Sequence, residues 1–68
     1  MDMQKIGGFL RDLRKQKGLS QEQLATAVGV TQGAVSQWEK GRSKPSVAVL
    51  MKLADALGVT IDSILKGA

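Results

Sequence analysis

The chain has 68 residues, which suits one small domain spanning residues 1–68. It contains no cysteine and no histidine, so disulfides are excluded, zinc lacks its usual ligands and the commonest general base is missing. We therefore expect no enzyme, no metal or cofactor and no small-molecule ligand. The formal charge of +4 and a pI of about 9.9 favour a polyanionic partner, and no apolar run predicts a membrane span.

The first predicted helix runs from about Met3 to Lys17, with Asp2 as a candidate N-cap. Four apolar residues have the spacing of an amphipathic helix: Ile6, Phe9, Leu10 and Leu13. Gly7 and Gly8 conflict with this interpretation, because each costs about 1 kcal/mol in a helix interior. Either the helix starts later than Met3 or another backbone approaches at these glycines.

Two short helices joined by a tight turn are predicted between Ser20 and Gly41. The first runs from about Gln21 to Val28, since Ser20 and Gln23 have the spacing of a capping box. The second follows Thr31 and ends near Lys40. Glycines 18 and 29 have the positions of left-handed residues that end helices. A unit of this kind lays its second helix in the major groove of DNA, and we place it at about 20–41.

Two more helices complete the predicted fold. The fourth follows Pro45 and Ser46, and its predicted buried stripe comprises Val47, Leu50, Leu53, Ala54 and Leu57. A short fifth helix begins after Thr60 and ends at Gly67. Because no stretch has the two-residue period of a strand, the expected fold class is all-α, a compact five-helix domain.

The second helix of the unit presents the candidate base contacts. Val35 and Trp38 are apolar and three residues apart, so they face the core. The outward face then carries Gln32, Gly33, Ser36 and Gln37. A glutamine amide can pair bidentately with adenine in the major groove. The alternative is that these are solvated helix residues, and Ser36 is equally suited to a phosphate.

Candidate phosphate contacts surround this face: Ser20, Gln21, Lys40, Arg42 and Lys44. Capping of its own helix is a sufficient alternative explanation for Ser20, and a solvated loop is the alternative for the three cations. Three further cations, Arg11, Lys15 and Lys17, are interpreted mainly as a solvated helix face.

The segment L-S-Q-E-Q-L-A-T-A-V-G-V-T-Q-G-A-V-S-Q-W-E-K-G-R-S-K-P-S resembles the Cro/lambda-repressor-type (XRE) helix-turn-helix family. The resemblance continues into K-I-G-G-F-L-R-D-L-R-K-Q-K-G before it and L-A-D-A-L-G-V-T-I-D-S-I-L after it. It implies a lambda-repressor-like domain whose second and third helices read double-stranded DNA. It also implies a cytoplasmic, nucleoid-associated protein of a prokaryote or phage.

The family pattern places Gln32 and Gln37 at base-contacting positions and Gln21 at a position that contacts phosphate and braces its neighbour. Lys40 and Lys44 match phosphate-contacting positions. Gly33 departs from the polar residue that phage repressors often carry there. The resemblance further implies a structural ion pair between Arg14 and Glu39, which would join the first and third helices.

The function expected from the sequence is a sequence-specific transcriptional regulator, a repressor that binds a palindromic operator as a homodimer. The expected dimer surface is the fifth helix and the turn before it: Val59, Ile61, Ile64 and Leu65. Burial of these residues in the core is the alternative. Activation of transcription is equally allowed by the sequence, and the rival function is an antitoxin or protein-interaction module of the same fold.

Overall fold

The computed structural model describes residues 2–68, so Met1 lies outside the described residues. Five helices follow one another along the chain: α1 (Met3–Gln16), α2 (Gln21–Val28), α3 (Gln32–Glu39), α4 (Val47–Leu57) and α5 (Ile61–Lys66). Residues 2–68 contain no strand, which confirms the all-α expectation. Over the same residues, no helix combines the length and apolar character needed to cross a membrane.

Each helix begins where the sequence supplies a side-chain cap. Five N-cap residues accept a hydrogen bond from a backbone N–H in the first turn: Asp2, Ser20, Thr31, Ser46 and Thr60. At α2 the capping box is reciprocal, with Gln23 N donating to Ser20 Oγ (3.0 Å) and Ser20 N donating to Gln23 Oε1 (2.8 Å). These bonds satisfy donors that a helix end would otherwise leave unpaired.

One apolar cluster joins all five helices. Its buried members are Ile6, Leu10, Leu24, Ala25, Val28, Val35, Trp38, Leu50, Leu53, Ala54, Leu57 and Ile64. Trp38 is 5% exposed, so the one tryptophan is a core residue. Burial of this cluster is the main favourable contribution to folding that a chain of this size has available.

Val47 was expected in the buried stripe of α4, and that expectation is wrong. Its side chain is 75% exposed. Residues 47 and 53 are about 120° apart around a helix, so Val47 lies at the edge of the face that Leu50, Leu53 and Leu57 bury. Met51, one turn further on, is also exposed, at 58%.

The two glycines of α1 occupy different environments. The helix runs through both, and Gly7 is buried where the end of α3 crosses it. A Cβ atom at Gly7 would collide with the carbonyl oxygen of Trp38 and lie 3.1 Å from the carbonyl carbon of Glu39, whereas a Cβ at Gly8 would meet nothing within 4 Å. The sequence left open whether the helix starts later than Met3 or another backbone approaches, and at Gly7 the second alternative is correct. The missing side chain lets the backbone of α3 pack directly against α1.

Candidate nucleic-acid interface

The two faces of α3 differ in burial. Val35 is fully buried and Trp38 nearly so. Away from the core, Gln32 and Gly33 are exposed, while Ser36 and Gln37 are half-buried. All four candidate base contacts therefore lie outside the apolar cluster, on the side where a duplex could approach. A Cβ at Gly33 would meet only Thr31 Oγ1, at 3.8 Å, so packing does not require a glycine there.

A chain of hydrogen bonds runs from the start of α3 into the interior. Gln32 Nε2 donates to Gln21 Oε1 (3.3 Å), and Gln21 Nε2 donates to Glu39 Oε1 (3.0 Å). Gln21, at the start of α2, thus links both ends of α3. This is the bracing position that the family resemblance implies for Gln21.

Arg14 and Glu39 form the ion pair that the resemblance implies. Arg14 Nε donates to Glu39 Oε2 (2.7 Å), and Arg14 Nη2 donates to Glu39 Oε1 (3.0 Å). Arg14 Nη1 also donates to the carbonyl oxygen of Leu19 (2.8 Å). The side chains are 10% and 4% exposed, so the pair is a largely buried bidentate contact between α1 and α3.

The surroundings keep both members of this pair charged. Burial raises the pKa of Glu39, but hydrogen bonds from Arg14 and Gln21, together with the charges of Arg14 and Arg11, outweigh it and hold that pKa below its ordinary value. The hydrogen bond to Glu39 raises the pKa of Arg14 above its ordinary value, against the opposing effect of burial. Glu39 consequently remains a carboxylate near neutral pH, neutralised by Arg14.

Three of the candidate DNA contacts meet at one cleft. Gln21, Ser36 and Lys40 border a cavity of about 240 Å³ between α1, α2 and α3, whose other lining residues are Arg11, Arg14, Lys15 and Glu39. Arg11 and Lys15 were interpreted from the sequence as a solvated face. Their i, i+4 spacing puts them on the same side of α1. The sequence signal that could have placed this side near α3 is the implied pair of Arg14 with Glu39, because Arg14 is three residues from Arg11.

Other candidates lie apart from that cleft. Ser20 borders a different concavity of about 450 Å³, together with Glu22, Gln23 and Thr26. Arg42 and Lys44 are exposed beyond the end of α3. The turn that carries them is fixed by Gly41 N donating to the Trp38 carbonyl (2.9 Å) and by Arg42 N donating to the Gln37 carbonyl (2.9 Å).

The expected dimer surface requires one correction. Ile64 is fully buried in the protein's own core, so the expectation that it lies on a dimer surface is wrong. Its position places it against the apolar cluster, which is the alternative interpretation. Leu65 is 39% exposed, and Val59 and Ile61 are half-buried.

Comparison with known sequences relates this geometry to a family. Residues 10–64 match the family model described as Helix-turn-helix (HTH_3). The chain is 44% identical over 61 residues to an uncharacterized HTH-type transcriptional regulator, y4dJ, of Sinorhizobium fredii, and the match covers 88% of this chain and 79% of that protein. Two further curated relatives are regulators that are 38% and 41% identical to this chain, and the chain spans only 57% and 28% of their respective lengths.

Solved structures share the fold. The restriction-modification controller protein C.AhdI of Aeromonas hydrophila has a TM-score of 0.86 and 40% identity, covering 93% of this chain and 96% of that one. The c2 repressor of Salmonella phage P22, solved in complex with a synthetic operator, has a TM-score of 0.89 and 36% identity, again covering 93% and 96%. The five-helix arrangement is therefore shared nearly in full with both proteins.

Proposed function

This chain belongs to the helix-turn-helix family of DNA-binding transcriptional regulators, and we propose that it represses transcription by binding a palindromic operator as a homodimer. Occupying a promoter is the simplest route to repression, since α3 and its surroundings supply a DNA-binding surface and nothing more is needed for steric exclusion. Half-sites should lie about one helical turn, roughly 34 Å, apart.

Gln32 and Gln37 read base edges in this proposal. The observation that carries it is the chain of hydrogen bonds from Gln32 through Gln21 to Glu39, which orients a glutamine amide at the outer surface of α3. An amide held in place loses less conformational entropy on binding a base than a free one does. Gln32, Gly33 and Gln37 form a base-reading row, in which Gly33 leaves room for close approach of the backbone. The Ser36 hydroxyl beside this row suits either a base edge or a phosphate.

The phosphate contacts are assigned to the residues around this row: Ser20, Gln21, Lys40, Arg42 and Lys44. All of them except Gln21 are exposed. The Ser20 hydroxyl accepts the capping bond from Gln23 but retains its own proton to donate. Each phosphate neutralised by a cation should contribute about −0.9 to the slope of log affinity against log salt.

Dimerisation is assigned to the region of α5 that remains accessible. Leu65 is the exposed apolar residue there, and Val59 and Ile61 flank it with half-buried side chains. Sedimentation equilibrium with and without operator DNA tests this assignment. A Leu65→Ser variant should dimerise more weakly than the wild type, and a symmetric binding site bound by one subunit alone would contradict it.

The base-reading assignment is tested by replacing Gln37 with Ala. Bound sites are first selected from random duplexes, and operator and random-sequence DNA are then titrated at several salt concentrations. Base readout predicts a loss of about 1–3 kcal/mol on the operator with the salt slope nearly unchanged. Gln16→Ala, which removes an exposed amide from the end of α1, is the matched control. An equal loss on random DNA would contradict specific readout by Gln37.

A further inference from the structure

We propose that α1 is a third DNA-contacting element, and that Arg11 and Lys15 bind a DNA backbone phosphate in the cleft between α1, α2 and α3. The cleft is completed by Gln21, Ser36 and Lys40. This inference rests on the proposed function. It assigns a DNA contact to two residues that the sequence alone indicates are ordinary solvated residues of a helix face.

The charge of the cleft is the first argument. Its lining includes four basic side chains and one acidic side chain, a net charge of +3. Glu39 is already neutralised by the two hydrogen bonds from Arg14. Within residues 2–68, none of the remaining cations, Arg11, Lys15 and Lys40, forms an ion pair. Three like charges that converge without a counterion favour an anion between them.

The donors of the cleft suit a phosphate in particular. Arg11 and Lys15 of α1 and Lys40 at the end of α3 are exposed and line the same cleft, so their cationic groups are available to an anion there. The Ser36 hydroxyl and the second N–H of the Gln21 amide add neutral donors, since only one Gln21 amide proton is used in the bond to Glu39. A phosphate accepts several hydrogen bonds at once, and guanidinium and ammonium groups are its usual partners.

The position of the cleft identifies the phosphate as one of DNA. Gln21 borders the cleft and also accepts the hydrogen bond from Gln32, the candidate base reader. An anion in the cleft therefore lies beside the base-reading row, where the backbone flanking the major groove would pass. Ser36 then contacts phosphate, which decides between its two candidate roles.

The test replaces Arg11 or Lys15 with Gln and measures the salt dependence of binding to a random-sequence 20-base-pair duplex and to a selected operator. Each variant should lower the salt slope by about 1 and weaken binding to both duplexes by about 3- to 10-fold near 100 mM salt. Lys17→Gln is the matched control, because it removes the same charge from the C-cap residue of α1. The Lys17 ammonium lies near Gly58, 3.5 Å from where a Cβ there would stand, and does not line the cleft.

The outcomes separate this inference from the proposed function. If the wild type binds neither duplex, the proposed function fails. If the wild type binds with a steep salt dependence while Arg11→Gln and Lys15→Gln match Lys17→Gln, the α1 inference alone is overturned. Thermal melting of each variant shows that the fold is retained.

Inorganic phosphate distinguishes the source of the anion. At constant ionic strength, added inorganic phosphate should leave DNA binding by the wild type unchanged, because a single phosphate lacks the neighbouring contacts of the duplex. Saturable competition that disappears in Arg11→Gln would identify a pocket for a free anion and overturn the assignment to DNA.

Discussion

The inner and outer faces of α3 are built in opposite ways. On the inner face, Val35 and Trp38 are buried and Glu39 is held by the bidentate bond to Arg14. On the outer face, Gln32 is exposed and has a single 3.3 Å bond to Gln21, and Ser36 and Gln37 are only half-buried. Substitutions on the inner face should therefore reduce stability first, whereas substitutions on the outer face should reduce DNA affinity and leave stability nearly unchanged.

Gly7→Ala is one of two substitutions that share the largest expected effect. The added methyl group would overlap the backbone of α3 at Trp38, and a helix backbone cannot move aside as a flexible side chain can. We expect the free energy of unfolding, measured by urea denaturation, to fall by about 3 kcal/mol, at the upper end of overpacking costs. For a domain of 68 residues that loss is a large fraction of the whole stability, which is about 3–10 kcal/mol at typical values per residue.

Gly8→Ala is its matched control, one residue along the same helix. Its methyl group would meet nothing within 4 Å, and alanine is favoured over glycine in a helix interior. The variant should gain about 0.5–1 kcal/mol. If the two substitutions changed the free energy of unfolding equally, the backbone of α3 would not contact α1 at Gly7 as described.

Arg14→Ala should cost about 3 kcal/mol, because it leaves the carboxylate of Glu39 buried without its cation. Lys66→Ala, which breaks the exposed Asp62–Lys66 pair, is the control and should cost less than about 1 kcal/mol. Thermal melting and operator binding are measured on the same samples. Unchanged melting with reduced DNA affinity would make Arg14 a DNA ligand instead of a structural residue.

Lowering the pH should reduce the stability that the inner face contributes, but by less than Gly7→Ala or Arg14→Ala does. The folded pKa of Glu39 lies below its unfolded value, so the stability it contributes is complete above about pH 4.3 and is lost as the pH falls through the folded pKa. Because the pKa of Arg14 is raised, Arg14 stays protonated throughout this pH range, and the stability that it contributes does not change as acid is added. Below about pH 4.3, the free energy of unfolding should therefore fall more steeply with decreasing pH in the wild type than in Glu39→Gln.

Asp62→Asn is the control for this pH dependence, since it removes a carboxylate whose side chain is 75% exposed. Because water screens an exposed pair, this substitution should change the acid sensitivity less than Glu39→Gln does. If Glu39→Gln has the same pH profile of stability as the wild type, the ion pair contributes nothing to the acid sensitivity of the domain.

The helix boundaries could be predicted from sequence because the signals for them are local. Ser20 with Gln23, and Thr31 with the turn before it, determine where α2 and α3 begin through hydrogen bonds that span three residues. The exposure of Val47 could not be predicted in this way. Its position on the helical wheel borders the buried stripe, and only the packing of α4 decides on which side of that border it lies.

The candidate site was predictable only in part for the same reason. The outward position of Gln32 follows from the apolar spacing of Val35 and Trp38. The close contact at Gly7 remained one of two alternatives, because it depends on a second helix. Arg11 and Lys15 share a cleft with Lys40 only after α1 and α3 pack together. The expected ion pair between Arg14 and Glu39 indicates that packing, but it does not show which exposed cations border the contact.

The buried contact at Gly7 has a mechanical consequence for α3. The helix has eight residues and a length of about 12 Å. Its C-terminal end contacts the backbone of α1 at Gly7, so a rotation about that contact would displace its N-terminal end the most. A tilt of about 5° there would displace the opposite tip by about 1 Å, enough to misalign a bidentate hydrogen bond. The hydrogen bond between Gln32 and Gln21 lies at that tip and joins it to α2.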